Sequence, residues 1–306
     1  MEQTLDKYDV IIVGLGCVGC SAAYYCTKKG LKVLGLEMNS KSGEIGTSSY
    51  GYTRIYRDTD ANPLKNDMMT HSFSMWREVQ QELESIKQNA TNSEEANLEP
   101  ELLTPDDLLV YGKPDDGFIL GMKENDPSAE WITGKQISQK YPAFKNIPED
   151  YLGNITKNDN VGQIRAERAL NGFSFLARRY GADLRYNSEV AQVFKDHVIL
   201  ADKTVFNADS VVVCCGANTT EHFESEKDNA EMTPVESIII GGDNSDMPGV
   251  FLEAVNGNIL MYGLRDGPQL EEYKLGIHTR SDFKKTMKWI RERLPSKIKD
   301  IKYSKP

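Results

Sequence analysis

Long apolar runs, cysteines and histidines are scarce in this sequence, and each shortage excludes a class of protein. No apolar run approaches the roughly 20 residues that a membrane-spanning helix requires. Five cysteines, an odd number, argue against a disulfide framework and favour reduced thiols. The first residues lead into a strand without a secretory signal. We therefore expect an intracellular globular protein.

Positive charge is also in deficit, and this limits the partners. The net charge of −10 disfavours nucleic acid or an anionic membrane as a binding partner. His71, His197 and His222 have no sequence partners that suggest a metal site, so we expect none. The 306 residues suffice for two modest domains with a sizeable core.

The sequence does contain a glycine motif that is typical of dinucleotide binding. Residues 9–13 read as a strand, and Gly14, Gly16 and Gly19 follow in a G-x-G-x-x-G pattern that opens a helix. The first glycine permits a tight turn, the second lets the backbone approach a pyrophosphate, and the third lets helix and strand pack closely. Glu37 lies 18 residues after Gly19, at the end of a second strand, where a carboxylate accepts hydrogen bonds from an adenosine ribose. The pattern predicts an adenine dinucleotide on the helix N-terminus.

Two other interpretations of this stretch are weaker. Cys17 and Cys20 form a C-x-x-C pair, which can indicate redox chemistry. They lie within the glycine turn and the first helix, where small residues are needed for packing, so we interpret them as packing residues. A kinase glycine-rich loop is disfavoured because the companion kinase motifs are absent.

The periodicity of apolar residues predicts the remaining elements. Helices are expected over 64–87, where a Met-rich stripe reads as core, over 164–180, and from an N-cap at Ser281-Asp282 to Pro295. A surface loop is expected at 88–107, followed by strands over 108–111 and 118–122. A buried strand is expected over 208–217. An antiparallel sheet is expected from strands over 235–240, 250–254, 259–262 and 273–277.

This order of elements indicates an α/β protein with two discontinuous domains. A Rossmann-like dinucleotide-binding domain is expected to use residues 1–63 and 150–222. A second, α+β domain, built on the antiparallel sheet, is expected to use residues 64–149 and 223–306.

Three further clusters resemble a known family. Gly46 and the run Thr53-Arg54-Ile55-Tyr56-Arg57 follow the glycine motif, and Val211 to Ala217 and Tyr273 to His278 come later in the same order. Together they look like monomeric sarcosine oxidase and its relatives, the N-methyltryptophan, pipecolate and fructosyl-amino-acid oxidases of the D-amino-acid oxidase superfamily. The resemblance covers essentially the whole chain.

Membership of that family implies a cofactor and a reaction. The cofactor is FAD, and the substrate is a small amino acid that carries a secondary or glycated amine. The C–N bond is oxidised to an imine while O₂ is reduced to hydrogen peroxide. The resemblance also implies a monomer in the cytoplasm or the peroxisome, whose partners are the amino-acid substrate and O₂.

The family's functional residues carry over to matching positions. Arg54 would lie beside the flavin ring, Arg57 would bind the substrate carboxylate, and Lys274 would assist the reduction of O₂. Tyr262 and His278 would line the substrate side of the ring. The resemblance also implies cofactor contacts at Gly14, Gly16, Val18, Gly19, Glu37, Ser48, Ser49, Thr53, Arg54, Val190 and Gly216.

Elementary chemistry supports these roles, although each residue also has a structural interpretation. A guanidinium offers a planar fork of donors that suits a carboxylate, and a fixed ammonium stabilises negative charge that develops on oxygen. An arginine in this run can instead form a surface salt bridge, and Lys274 in an alternating strand can instead face solvent. Tyr262 and His278 can instead be packing residues.

The sequence departs from the family at its C-terminal end. Family members continue past the position of Pro306 into a segment that carries the cysteine of covalent flavin attachment, and none of the five cysteines here aligns with it. We therefore expect part of the family fold to be absent. Two alternative functions stay open: a flavin dehydrogenase that passes electrons to a protein acceptor, and a non-catalytic dinucleotide-binding remnant.

Overall fold

A computed structural model describes residues 7–127, 129–223, 237–277 and 283–303. Its contacts divide the chain into two compact units, both built from separated segments. The first unit comprises residues 1–51, 79–102 and 166–232, and the second comprises residues 52–78, 103–165 and 233–306. The division predicted from the sequence remains a prediction. It differs from the compact units in four segments: residues 52–63 and 150–165 belong to the second unit, and residues 79–102 and 223–232 belong to the first.

The described residues form eight α-helices and seventeen strands. The helices are α1 (Cys17–Lys28), α2 (Pro63–Gln88), α3 (Ser93–Ala96), α4 (Gly117–Asn125), α5 (Gly134–Lys140), α6 (Ala166–Arg179), α7 (Thr219–His222) and α8 (Phe283–Arg293). The strands are β1 (Tyr8–Val13), β2 (Val33–Leu36), β3 (Thr53–Tyr56), β4 (Leu103–Pro105), β5 (Leu108–Gly112), β6 (Trp131–Thr133), β7 (Leu152–Thr156), β8 (Gly162–Arg165), β9 (Asp183–Arg185), β10 (Val190–Val193), β11 (His197–Leu200), β12 (Val205–Val213), β13 (Ser237–Ile240), β14 (Val250–Val255), β15 (Asn258–Asp266), β16 (Glu272–Ile277) and β17 (Ile301–Tyr303).

The first unit contains a six-stranded sheet in the order β10-β11-β12-β1-β2-β9. β1 pairs in parallel with both β12 and β2, and β2 pairs in parallel with β9, while β10, β11 and β12 are antiparallel. Strand β1 is almost wholly buried, as its continuous apolar run requires in the centre of a parallel sheet. Helices α1 and α6 pack against each other. The Rossmann-like fold predicted for the glycine motif is thus confirmed.

The second unit is built on an eight-stranded sheet in the order β17-β13-β16-β15-β14-β5-β7-β6. All of its pairs are antiparallel except the parallel pair of β5 with β14. Alternate residues of the central strands enter two different cores: Leu109 and Phe251 belong to one, and Val110 and Leu252 belong to the other. A smaller antiparallel sheet in the order β3-β8-β4 completes the unit. The predicted antiparallel sheet is therefore confirmed.

Some sequence predictions of local structure were wrong. The expected strand at 118–122 is part of helix α4, and the expected loop at 88–107 contains α3 and β4. Strand β12, expected to be buried, buries only Phe206 and Ala208 and leaves Val212 38% exposed. Helix α2 buries Val79 and Leu83 but exposes Leu64 and Met68, so its apolar stripe is core only in part. The expected N-cap at Ser281-Asp282 lies outside the described residues.

Candidate cofactor cradle and active site

The glycine turn between β1 and α1 is so tight that side chains would not fit. Gly14 has a φ of 90°, which L-residues rarely adopt, and a Cβ there would lie 2.6 Å from the carbonyl oxygen of Cys214. A Cβ on Gly19 would overlap the carbonyl oxygen of Gly14. A Cβ on Gly16 would lie 3.1 Å from the hydroxyl of Ser49. The tight turn predicted at Gly14 and the close packing predicted at Gly19 are therefore present, while the approach of a pyrophosphate to Gly16 stays a prediction.

The N-terminus of α1 offers N–H groups at this turn. Gly16 is the N-cap and provides no side-chain acceptor, and the first N–H groups of a helix have no partner within it. The N–H of Cys17 donates to the hydroxyl of Ser49 at 3.0 Å, which brings the loop of Ser48 and Ser49 onto the turn. Val18 is 63% exposed beside it. Unpaired N–H groups and the helix dipole together favour an anion here.

Glu37 is buried and faces the same turn. One of its carboxylate oxygens accepts the N–H of Leu15 at 2.9 Å, and the other accepts the N–H and the side-chain amide of Asn39 at 3.0 and 2.8 Å. Each carboxylate oxygen has two lone-pair sites, so the oxygen on Leu15 can accept a further hydroxyl. A negative charge at this point also repels a 2′-phosphate.

The two other predicted cofactor residues of the first unit flank this cradle. The N–H of Ser188 donates to the carbonyl oxygen of Glu37 at 2.8 Å, and Val190 begins β10 two residues later as a member of the core. Gly216 has a φ of 55° and opens a short 3₁₀ turn after β12, where the N–H of Cys214 donates to the carbonyl oxygen of Val13.

A cationic cluster in the second unit centres on Lys274. The residue is only 9% exposed, so the alternative that it faces solvent is wrong. Its ammonium nitrogen lies 2.8 Å from the carbonyl oxygen of Thr53 and 3.4 Å from a carboxylate oxygen of Asp266. Burial lowers the pKa of Lys274 from the ordinary 10.5 to about 8; Asp266 opposes this shift of the pKa and the nearby Arg54 adds to it.

Arg54 and Tyr262 belong to the same cluster. Arg54 donates to the carbonyl oxygen of Thr53 at 2.7 Å, so this one oxygen accepts from two cationic side chains. Tyr262 on β15 lies opposite Gly276 on β16, and a Cβ on Gly276 would overlap the Tyr262 ring. Burial raises the pKa of Tyr262, and the positive charge of Arg54 opposes that rise in pKa.

Arg57 is bound to a carboxylate of its own chain. Its Nε donates to the carbonyl oxygen of Thr59 at 3.0 Å, and one Nη donates to the buried carboxylate of Asp60. These bonds use two of the five N–H donors of a guanidinium. Thr53, Arg54, Tyr262 and Lys274 are thus brought together, whereas Arg57 bonds to residues of the turn that follows β3. His278 lies outside the described residues.

Two acids at this site were not predicted from the sequence. Asp266 contacts Lys274 from the end of β15, and Asp60 contacts Arg57 from three residues further along the chain. A lysine or arginine that becomes buried needs an anionic partner, and this requirement was the available signal. For Arg57 the nearby acids at 58 and 60 were candidates; for Lys274 the strand pairing had to be known first.

The described ranges hold neither a disulfide nor a cluster of metal ligands. All five cysteines are free thiols. Between residues 7 and 303, apart from the undescribed positions, no group of three His, Cys, Asp or Glu side chains is placed to hold a metal ion. In the same part of the chain, no helix is both long and apolar enough to span a bilayer.

Comparison with known proteins identifies the family. The family of FAD-dependent oxidoreductases, abbreviated DAO, matches residues 9–304, so the chain belongs to this family. Monomeric sarcosine oxidase from Streptomyces avermitilis is 28% identical over 216 residues, which are 69% of this chain and 52% of that protein. N-methyl-L-tryptophan oxidase from Salmonella dublin is 27% identical over 195 residues, which are 62% of this chain and 47% of that protein.

These comparisons confirm the resemblance seen in the sequence. The chain spans about half the length of the curated relatives that it matches. Among solved structures, NikD, an unusual amino acid oxidase essential for nikkomycin biosynthesis, is similar with a TM-score of 0.74 and 21% identity, over 97% of this chain and 80% of that one. At this identity the likeness establishes the fold, which is the predicted α/β fold.

Proposed function

We propose that the protein binds FAD and oxidises the C–N bond of a small N-substituted amino acid to an imine, with O₂ reduced to hydrogen peroxide. The substrate is a secondary or glycated amine. Two observations support the proposal: a tight glycine turn at the start of α1 with the buried Glu37 beside it, and a buried lysine that is shared between a carbonyl and a carboxylate. The names of the relatives support the same class of substrate.

The residues of the first unit fit the proposed cofactor. A pyrophosphate would lie on the turn of Gly14, Gly16 and Gly19 against the first N–H groups of α1, with Val18 beside it. The adenosine ribose would bond to Glu37, and the adenine would contact the backbone of Val190. Ser48, Ser49 and Gly216 border this cradle and complete the proposed contacts. Flavin bound there supplies a two-electron acceptor for the amine and a donor to O₂.

In the second unit, Arg57 is the proposed anchor of the substrate carboxylate. Its guanidinium already holds the carboxylate of Asp60, so its geometry suits this group. The substrate would bond to further N–H donors of the same fork, which a lysine could not reproduce. Arg54 and Thr53 are proposed to lie beside the flavin ring, and Tyr262 and His278 are proposed to line the substrate side of the ring.

Lys274 is the proposed activator of oxygen. Negative charge develops on O₂ as it accepts electrons, and an ammonium held rigidly in a buried site stabilises that charge without reorganisation. The amine substrate must be unprotonated when it reacts, and transfer from water into a buried site lowers the pKa of an amine. The proposed partners are thus the amino acid and O₂, with the protein acting as a monomer in the cytoplasm or the peroxisome.

The test begins with the cofactor. The purified protein should carry flavin absorbance, and Gly19→Ala should abolish it, because its Cβ would overlap the carbonyl oxygen of Gly14. Gly117→Ala is the matched control, since its Cβ would make only an ordinary contact at 3.6 Å with Gly257. A wild-type protein that binds no flavin would contradict the proposal and favour a non-catalytic remnant.

The second stage tests the reaction. Flavin reduction should be followed anaerobically with sarcosine, N-methyltryptophan and pipecolate, and peroxide should then be measured on mixing with air. Arg57→Lys should raise KM by about ten- to a hundredfold, as expected when a paired hydrogen bond to a charged group is lost. Fast reduction followed by sluggish reoxidation in air would instead favour a dehydrogenase with a protein acceptor.

A further inference from the structure

Lys274, Asp266 and Thr53 form a closed group in the second unit. Thr53 is fully buried, Asp266 is 5% exposed and Lys274 is 9% exposed. The Thr53 hydroxyl donates to Oδ1 of Asp266 at 2.6 Å, and the same oxygen lies 3.4 Å from the Lys274 ammonium nitrogen. Lys274 also donates to the Thr53 carbonyl at 2.8 Å. Residues of β3, β15 and β16 thus meet at two oxygens, Oδ1 of Asp266 and the carbonyl oxygen of Thr53.

Without Asp266, a charged lysine would be costly in this place. Burial disfavours an ammonium, and the positive charge of Arg54 on β3 disfavours it further. Tyr262 on β15 interacts electrostatically with Arg54 and Asp266, and it is neutral near pH 7; burial raises its pKa further above the ordinary value of 10. Asp266 is therefore the anion that offsets both costs, and the Thr53 carbonyl adds a neutral acceptor.

We propose that Asp266 is a positioning residue that keeps the ammonium of Lys274 charged and fixed against the carbonyl of Thr53. Its effect on oxygen rests on the proposed function of Lys274, but the ion pair itself does not. Asp266 acts in two opposite ways: it preserves the positive charge of Lys274, and it offsets part of that charge at a distance of 3.4 Å. Removal of its carboxylate should therefore leave a lysine that is neutral at pH 8 yet more strongly positive toward oxygen at low pH.

The first test measures the protonation of Lys274 directly. Protein with ¹³C-labelled lysine is titrated by NMR, and the Cε signal of Lys274 is assigned by its loss in Lys274→Arg. In wild type the signal should titrate near pH 8. In Asp266→Asn the midpoint should fall by at least about one pH unit, a tenfold change in the protonation equilibrium.

The strand register supplies a matched control. Glu272 lies directly opposite Asp266 and is paired with Lys302 at 2.8 Å, so Glu272→Gln removes one acid from the same end of the sheet. This variant should leave the midpoint of Lys274 unchanged. Should Asp266→Asn fail to fold, Asp266→Ser removes the same charge with a smaller side chain. An unchanged midpoint in the uncharged variant, or a wild-type Lys274 that is already neutral at pH 7, would overturn the proposal.

A second readout separates this inference from the proposed function. Reoxidation of the reduced protein by O₂ should be about fivefold or more slower in Asp266→Asn than in wild type at pH 8, and as fast or faster at pH 6, because a fall of one pH unit in the midpoint reduces the protonated fraction of Lys274 at pH 8 from about a half to about a tenth. Lys274→Arg in the Asp266→Asn background should remove this pH dependence, because arginine stays protonated. If the NMR midpoint falls while reoxidation is unchanged, Asp266 keeps its role and the role of Lys274 in oxygen reduction is rejected.

Discussion

The carbonyl oxygen of Thr53 is the shared acceptor at the centre of the cationic cluster in the second unit. Lys274 and Arg54 both donate to it, at 2.8 and 2.7 Å, and the carbonyl thereby uses both of its lone pairs. A backbone oxygen holds these two cations at fixed positions without adding a charge. The arrangement requires Thr53 to lie in a paired strand, which β8 provides through its register with β3.

Because the pKa of Lys274 is lowered in the folded state, its contribution to stability depends on pH. Between about 8 and 10.5 the unfolded chain binds a proton that the folded chain has lost, so the free energy of unfolding rises with pH across this window. Below it the full cost of burying the charge applies; above it both states are neutral and the cost is absent. Relative to Lys274→Met, wild type should gain on the order of 3 kcal/mol between pH 7.5 and 10.5.

Urea unfolding of both proteins at pH 7.5, 9 and 10.5 measures this difference. Lys288→Met is the control, since Lys288 is exposed on α8 and its removal should give a difference that is independent of pH. A wild-type advantage that stays constant or decreases with pH would contradict the buried position of Lys274.

Sequence reasoning identified the residue types of the site but not their partners. The glycines, Glu37 and the Thr53–Arg57 run are local patterns, and their spacing along the chain carries the information. The pair of Lys274 with Asp266 depends on the register of β16 with β15, in which Lys274 lies opposite Leu264, two residues from Asp266. No local pattern specifies this register, or the approach of Thr53 from β3. In the same way, Ser49 reaches the N–H of Cys17 from 32 residues away, across a loop without regular structure.

Among the secondary-structure elements, helix α4 shows where local patterns are ambiguous. Residues 118–122 are a short apolar run, and periodicity cannot distinguish a buried strand from a buried helix over five residues. The deciding signal is Asp116, the N-cap, whose carboxylate accepts the N–H of Phe118 at 2.9 Å. Long periodic segments such as α2 and α6 carry enough turns for the pattern to decide, and both were predicted correctly in position.

The N-cap of α4 also ties the helix to a neighbouring turn. The second carboxylate oxygen of Asp116 accepts the N–H of Gly257, between β14 and β15, at 3.0 Å. Asp116→Ala should therefore cost more than an ordinary cap, about 2 kcal/mol in the free energy of unfolding. Urea denaturation measures this loss. Asp115→Ala, an exposed acid next to it, should change stability by less than about 0.5 kcal/mol, and an equal loss in both variants would exclude the cap as the cause.

For the whole molecule, the acidic surface and the cofactor cradle have opposite electrostatic requirements. The net charge of −10 repels polyanions at long range, yet a dinucleotide carries two phosphate charges. Fixed N–H dipoles at the start of α1 attract an anion at short range without adding net charge. The protein can thus combine an acidic surface with selectivity for a small anionic cofactor.

Added FAD should stabilise the whole protein by mass action. A free concentration of 100 Kd contributes about 2.7 kcal/mol, which corresponds to a rise of several degrees in Tm. NADP should give no such rise, because its 2′-phosphate would meet the carboxylate of Glu37. Hydrogen exchange should slow at the amides of Val18 and Gly19, in the first turn of α1. A rise in Tm with NADP equal to that with FAD would contradict the assignment of Glu37 as the ribose acid.

The contact of Tyr262 with Gly276 has an evolutionary consequence. The ring lies where the side chain of residue 276 would be, so the two positions share one volume across β15 and β16. A larger residue at 276 is tolerated only if a smaller one replaces Tyr262, so substitutions at the two positions should be correlated. Homologues should therefore fall into two groups: one with an aromatic residue at position 262 and glycine at 276, and one with a small residue at 262 and a larger one at 276. The second group should accept bulkier substrates, because a small residue at 262 leaves more room on the proposed substrate side.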